Sequence, residues 1–458
     1  MVDKHKIDQI KPIIDTVSPT FCLAKWHHTT IYLQTGETHS CYHPAPHAIP
    51  LYGLAENPSM LHNTPQKKLE RKQMLEGKKP SGCQYCWKIE KLGPSYISDR
   101  HIRNASIYTA DRLTDITAKT WEYDISPEYV EVSFGNECQM SCIYCHPKAS
   151  SAWAKEISQH GLYLSSSEHQ QFVPANIKKE ETNPYVDAFW AWWPTIAPTL
   201  NILRITGGEP LLHTSMWKLL DYIDQHPQPH LELNINSNLS IKPALVDRLI
   251  TKYNLLKQQD KIKWFELYTS LDTWGPKAAY IRNGLDLDLW EQNFDRFLRG
   301  AWVPVSFMIT VNAMSISSFK SLLVKILEWR AVYNSKDHTK RQRVKFDTPH
   351  LKEPVLFDMR ILPKVEYLPY LEDCMAFIEA NCEDGNNRKF SNIELEKIRR
   401  IVDYMRNTAL NDADLFTARK NFYNWISEHD KRYSKSFIST FPEMQNFWDI
   451  CKDAAKHD

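Results

Sequence analysis

From about residue 128 the chain breaks into short apolar runs separated by longer amphipathic ones. The runs YVEVSF (129–134), NILRIT (201–206), LELNIN (231–236), WFELYTSL (264–271), VPVSFMITVN (303–312) and VLFDMRIL (355–362) read as buried strands. Helix-like segments lie between most of them, around 148–161, 215–225, 242–255, 287–299 and 316–332. Strands alternating with helices predict parallel βαβ units with both sheet faces covered. Six strands fit an incomplete barrel or an open doubly wound sheet, and periodicity does not choose between them. Before residue 105 the texture is irregular, rich in Pro, His and polar residues. From about 366 onward it is helical, and SNIELEKIRRIVDYMRN offers a capping box of Ser391 with Glu394. The expected organisation is therefore an irregular segment over 1–105, an α/β unit over 128–363 and a helical extension over 366–458.

Composition narrows the functional classes. The 458 residues are 42% hydrophobic, enough for a substantial core, and 56 basic residues against 55 acidic ones leave almost no net charge. That removes any general electrostatic footprint for nucleic acid or an anionic membrane. The opening MVDKHKIDQIKPIIDTV is too charged for a secretory signal, and no apolar run reaches the roughly 18 residues of a membrane span. A reducing cytoplasm is the expected setting, where clustered cysteines are metal ligands or redox groups rather than disulfides.

GNECQMSCIYCHP (135–147) holds Cys138, Cys142 and Cys145 within eight residues, directly after the first strand. Disulfides need pairs and structural zinc prefers four ligands, so three thiols suit a soft-metal centre with one position open. Incidental buried cysteines, or zinc with His146 as fourth ligand, are the alternatives. The next motif is RITGGEPLL (204–212), at the end of the second strand. CxxxCxxC followed by GGEP resembles the radical S-adenosylmethionine (radical SAM) superfamily over roughly 128–363, and within it the branch with SPASM or twitch auxiliary-cluster domains.

That resemblance implies a partial (β/α)6 barrel, a [4Fe–4S] cluster on the three cysteines, SAM on the open iron, and reductive cleavage of SAM to a 5′-deoxyadenosyl radical. It also implies a reducing partner such as flavodoxin or ferredoxin. Carried over residue by residue, Tyr144 stands where the family sets an aromatic against adenine. Gly207 and Gly208 let backbone approach the SAM methionine, and Glu209 accepts from its ammonium. Asn238 in NINSNL holds the ribose, Ser270 in TSLDTWG contacts SAM, and Arg282 in AAYIRNGLD pairs with the SAM carboxylate. The final glycine of the fourth-strand element is Thr273 here, which puts the turn after Asp272 in question.

Four further cysteines precede the barrel: Cys22, Cys41, and Cys83 with Cys86 in SGCQYC. WHHTTIYLQTGE predicts a small hairpin carrying the first two, and the CxxC pair follows a helix. The pattern resembles a twitch or SPASM module with an auxiliary [4Fe–4S] cluster, placed before the barrel rather than after it. A closed zinc site suits four thiolates equally well, with His27, His28, His39 or His43 able to replace one of them. Cys374, Cys382 and Cys451 are expected to be buried small hydrophobes. FWAWWP (189–194) reads as core more than as a peptide-facing wall. The expected activity is radical SAM chemistry on a ribosomally made peptide or protein. A small molecule such as a sugar or nucleotide is the alternative, and a non-catalytic iron–sulfur or zinc protein is the competing class.

Overall fold

The computed structural model describes residues 4–91, 93, 96–164, 178–179, 182–335 and 341–456. Among these, the strands are β1 (His28–Tyr32), β2 (Glu37–His39), β3 (His47–Ala48), β4 (Tyr129–Ser133), β5 (Ser141–Cys142), β6 (Ile202–Thr206), β7 (Gln228–Ser237), β8 (Ile262–Ser270), β9 (Arg282–Asn283), β10 (Val305–Met308) and β11 (Val344–Asp347). Nine form one sheet in the order β11-β10-β8-β7-β6-β4-β1-β2-β3, and β5 pairs with β9 apart from it. From β4 to β11 all pairings in the large sheet are parallel, with spatial order following chain order, so each crossover advances by one strand. This is the α/β sheet expected of an incomplete six-stranded barrel, with a helical carboxy-terminal region after it.

The irregular amino-terminal segment joins the same sheet. β1 runs parallel to β4, in register from His28 opposite Tyr129 to Tyr32 opposite Ser133. The expected hairpin is present: β1 and β2 pair antiparallel, and Gly36 takes φ +67° in the turn.

Two expectations fail. VLFDMRIL is not a strand but two 3₁₀ turns, Val355–Phe357 and Met359–Ile361. Asp358 breaks it by accepting from the Arg360 amide at 2.8 Å, while Phe357 packs edge-on against Trp425 of the helix Asp412–Tyr433. The sixth strand is the four-residue VKFD of β11. The strands are also not apolar on both faces. Val130, Val132, Leu203, Ile205, Leu233, Ile235, Phe265, Leu267, Val305 and Phe307 are buried on the helix side, where Phe307 stacks on Trp329. The alternate positions form a polar inner face: Glu131, Arg204, Asn234 and Glu266 are successive register partners, as are Tyr268, Ser306 and Lys345, and the Ser306 hydroxyl donates to Glu266 at 2.5 Å.

That inner face is curved. Laid flat, β4 and β11 would lie five strand spacings, about 24 Å, apart. Yet Glu131 of β4 and Lys345 of β11 line one cavity of about 770 Å³. Tyr42 and Arg103 from the amino-terminal segment border it on one side, and Ile393 and Lys397 from the helix Asn392–Asn407 border it on another. That helix begins with the predicted capping box of Ser391 and Glu394. FWAWWP lies in the helix Pro184–Ile196, with Phe189, Trp192 and Trp193 in the core. No helix is long and apolar enough to cross a membrane, among the described residues.

Candidate active site

Parallel strands deliver their following loops to one sheet edge, and the motif residues gather there. The cysteine loop leaves β4 and is held at both ends. Cys142 and Ser141 pair with Arg282 and Asn283 in the β5–β9 ribbon, and the Ile143 amide donates to Ile281 at 3.0 Å. At the other end the loop runs into the helix Ser151–His160, capped by Ser150. The Ser151 hydroxyl accepts from the Cys138 amide at 3.1 Å, the Ser150 hydroxyl donates to the Met140 carbonyl at 2.6 Å, and Trp153 Nε1 donates to the Cys142 carbonyl at 2.8 Å. Cys142 is buried, and Cys138 and Cys145 are half-buried. Burial, and then the neighbouring thiols, push Cys138 well above the ordinary thiol range and Cys145 up to about 12. Metal loading must therefore expel protons from this loop.

The GGEP turn packs on that loop. Gly207 and Gly208 have φ +83° and +49°. A Cβ on Gly207 would lie 1.7 Å from Ser133 Oγ, and one on Gly208 would lie 2.4 Å from the Glu137 carbonyl oxygen. Gly207 thus makes room for the Ser133 side chain and Gly208 for the backbone of the cysteine loop, and the Glu209 amide donates to that same Glu137 carbonyl at 2.7 Å. Glu209 is fully buried: its carboxylate accepts from the Leu211 amide at 3.1 Å and the Asn238 amide at 2.6 Å, tying the end of β6 to the end of β7. Burial pushes its pKa up to about 7. Asn238 in turn points Nδ2 at Cys138 Sγ, 3.8 Å away, while its Oδ1 accepts from Gln139 at 3.0 Å.

Arg282 is engaged by the protein through one terminal nitrogen, while its buried Nε has no hydrogen-bond partner among the described residues. Its Nη2 donates to Asp272 at 2.8 Å and to Tyr144 Oη at 2.5 Å, and Nη1 lies 3.9 Å from Cys142 Sγ. Tyr144 donates to the other Asp272 oxygen at 2.8 Å, so its hydroxyl is fixed in the interior. Burial works against the Arg282 charge, and the Asp272 carboxylate more than offsets it, raising the pKa. The departure at Thr273 is explained: the side chain is buried and donates to the Ser318 carbonyl at 2.8 Å. Ser270 ends β8, half-buried beside Met308 of β10.

Sequence reasoning missed three supports. His213 is buried, with Nδ1 2.7 Å from Glu137 and Nε2 3.3 Å from the Gly207 carbonyl, so it bridges the two motifs. Asp272 organises Tyr144 and Arg282. The carboxy-terminal helices brace the β5–β9 ribbon through Tyr433 to Ser141 at 2.9 Å and Lys435 to Asn283 at 2.6 Å. Only Asp272 had a signal, its place in TSLDTWG.

The four amino-terminal cysteines border a common space. Cys22, Cys41, Cys83 and Cys86 line one small cavity with Lys25 and Arg100, and of the four candidate histidines His43 alone joins them. His43 is engaged with Asp99 at 2.6 Å and stacked on Tyr85. Burial, then the nearby thiols, push Cys22 up to about 12, and burial pushes Cys86 to about 12. Lys25, buried against Glu70 at 2.5 Å, supplies positive charge beside them. Arg103 lines both this cavity and the larger one over the inner face. Among the described residues, no three His, Cys, Asp or Glu side chains converge on a position for a single metal ion. Soft thiols in sets of three and four nonetheless suit iron–sulfur clusters chemically. Of the remaining cysteines, Cys374 and Cys451 are buried as expected, but Cys382 is only half-buried, 3.6 Å from Asn392 Oδ1.

No family model matches the chain. Among curated proteins it is similar to a GTP 3′,8-cyclase of Sulfurimonas denitrificans, 23% identical over 165 residues, covering 36% of this chain and 41% of the relative. A GTP 3′,8-cyclase of Campylobacter lari is 25% identical over 114 residues, covering 25% and 28%. The chain thus spans less than half the length of the curated relatives it matches. Among solved structures, native anSMEcpe with bound AdoMet aligns with TM-score 0.37 and 14% identity over 57% of this chain and 64% of that one. Streptococcus suis SuiB bound to precursor peptide SuiA aligns with TM-score 0.33 and 14% identity over 76% and 63%.

Proposed function

We propose that the chain is a radical SAM enzyme, with a [4Fe–4S] cluster on Cys138, Cys142 and Cys145 and SAM on the remaining iron. The observation that carries this is that the three-cysteine loop, the GGEP turn and Asn238 are brought together at one edge of a parallel sheet, with the turn bonded to the loop. When bound and reduced, the cluster and SAM supply a 5′-deoxyadenosyl radical that abstracts a substrate hydrogen. The chain's own residues prepare that site. Arg282 directs positive charge at Cys142 and favours its thiolate, Asn238 directs an amide at Cys138, and the ribbon and helix cap hold the loop at both ends. The expected SAM contacts divide accordingly. Asn238 and Ser270, at strand ends, remain its candidates with the face of Tyr144, while Glu209 and Arg282 act through the loops they brace.

The reading extends to a twitch- or SPASM-like segment over 1–105, with a second [4Fe–4S] cluster on Cys22, Cys41, Cys83 and Cys86, in a cytoplasmic enzyme reduced by a flavodoxin or ferredoxin. Zinc is the competing occupant of the amino-terminal set. The polar cavity below the GGEP turn, and curated relatives named for GTP, support a small-molecule substrate over the peptide or protein expected of the branch. Iron, sulfide and zinc analysis of the reconstituted chain tests the assignment. Alanine at Cys138, Cys142 and Cys145 should leave about four irons per chain, and alanine at the amino-terminal four should leave the other four. Iron that does not follow the first set refutes the SAM-cluster assignment. One zinc in place of iron at the second set removes the auxiliary cluster.

A further inference from the structure

The cavity over the sheet's inner face has a distinctive charge arrangement. Its acidic groups all have partners. Glu394 is paired with Arg330 at 2.5 Å, Asp347 with Lys397 at 3.2 Å, and Glu131 accepts from the Tyr129 and Thr206 hydroxyls at 3.1 and 3.4 Å. Two of its cations are likewise committed, Lys345 to Glu266 at 3.1 Å and Lys397 to Asp347. The other two are not. Arg204 spends only Nε, on Asn236 at 3.1 Å, and lies over the Tyr268 ring with its guanidinium carbon 4.5 Å from the centroid. Arg103 lies over the Tyr42 ring at 5.3 Å. Among the described residues neither has a carboxylate within salt-bridge distance.

Glu131, opposite Arg204 in the strand register, and Asp99, one helical turn before Arg103, favour the two charges from nearby. Glu131 is bonded to hydroxyls and Asp99 to His43, however, so two guanidinium edges still face one cavity without a paired oxyanion. An aromatic face beneath a guanidinium fixes its plane and leaves the nitrogen edge for an oxyanion, which the fork binds in bidentate fashion. Position adds to this. Arg204 and Asn236 lie two residues, about 6.8 Å along a strand, ahead of Thr206 and Asn238. An anion held at Arg204 would therefore point the rest of its molecule towards the cysteine loop.

We propose that this cavity takes a small molecule by an anionic group, a phosphate or a carboxylate, gripped by Arg204 from the sheet and Arg103 from the amino-terminal segment. The proposal rests on the radical SAM reading and names its substrate class. Isothermal titration of the reconstituted full chain, at constant ionic strength, uses pyrophosphate and citrate as probes. One site per chain is expected, weakened at least tenfold in Arg204→Gln and in Arg103→Gln, with SAM affinity held within twofold. Binding of pyrophosphate alone assigns a phosphoryl group, and binding of citrate alone assigns a carboxylate. A second measurement needs no variant. Phenylglyoxal should modify Arg204 in the wild-type chain, read by peptide mass spectrometry, and the bound anion should slow that modification severalfold. If neither anion binds, or Arg204→Gln binds as wild type does, the proposal is overturned and the cavity returns to the peptide alternative. Anion binding without SAM binding would instead sink the radical SAM reading and leave the anion site standing.

Discussion

Replacing Gly208 with alanine tests how the GGEP turn is coupled to the cysteine loop. The new Cβ would sit 2.4 Å from the Glu137 carbonyl oxygen and 2.9 Å from the Asn136 carbonyl carbon. An ordinary carbon–oxygen approach is about 3.3 Å, so loop and turn must separate by roughly 0.9 Å. The obstacle is backbone, not the end of a flexible side chain, and Glu137 adjoins Cys138. The left-handed φ of +49° adds about 1–2 kcal/mol and the overpacking about 1–3 kcal/mol, for a total of about 2–5 kcal/mol. Gly385 supplies the control: its φ is +82°, and a Cβ there would meet nothing within 4 Å, so Gly385→Ala should cost only the left-handed term. Urea unfolding of both variants gives the stability difference, and iron content after reconstitution reads the loop directly. Gly208→Ala should lose about 1–3 kcal/mol more than Gly385→Ala and retain less iron at the Cys138 site. Equal losses with full iron would show that the close approach does not hold the cysteine loop in place.

Glu209→Gln should change the pH dependence of stability. The folded chain keeps a proton on Glu209 up to about pH 7, whereas the unfolded chain releases it near the ordinary carboxylate value, so this group makes stability fall as pH rises between those points. Urea midpoints of the apo chain at pH 5 and pH 7.5 should converge in the glutamine variant, and an unchanged slope would refute the assignment. Asp272→Asn leaves Arg282 buried without its counter-charge and should cost about 3–5 kcal/mol by the same assay. A loss below about 1 kcal/mol would mean the ion pair does not organise the site.

The sequence made the motifs legible because each is contiguous. Cys138, Cys142 and Cys145 follow a strand within eight residues, and GGEP ends the next strand, so both fell on the same sheet edge without any tertiary knowledge. What supports them comes from afar in the chain. The motif that points to Arg282 says nothing of Asp272 and Tyr144, which engage its Nη2 from 10 and 138 residues away. Tyr433 reaches Ser141 across 292 residues, and a helical texture could not announce that contact. The sixth strand was misplaced for a related reason. VLFDMRIL is the more apolar run, but its side chains fill the space against the carboxy-terminal helices. VKFD hides because Lys345 and Asp347 face the polar cavity. The same polar inner face defeated the expectation of strands buried on both sides.

As proposed, the three-thiol loop and the GGEP turn form one SAM-cleaving centre. The most direct measurement is 5′-deoxyadenosine produced from SAM by the reconstituted chain under dithionite, by chromatography with mass detection. The wild-type chain should release it, and the Cys138, Cys142 and Cys145 triple alanine variant should release none while keeping its amino-terminal metal. Undiminished 5′-deoxyadenosine from that triple variant would show that these three cysteines do not hold the SAM-cleaving cluster.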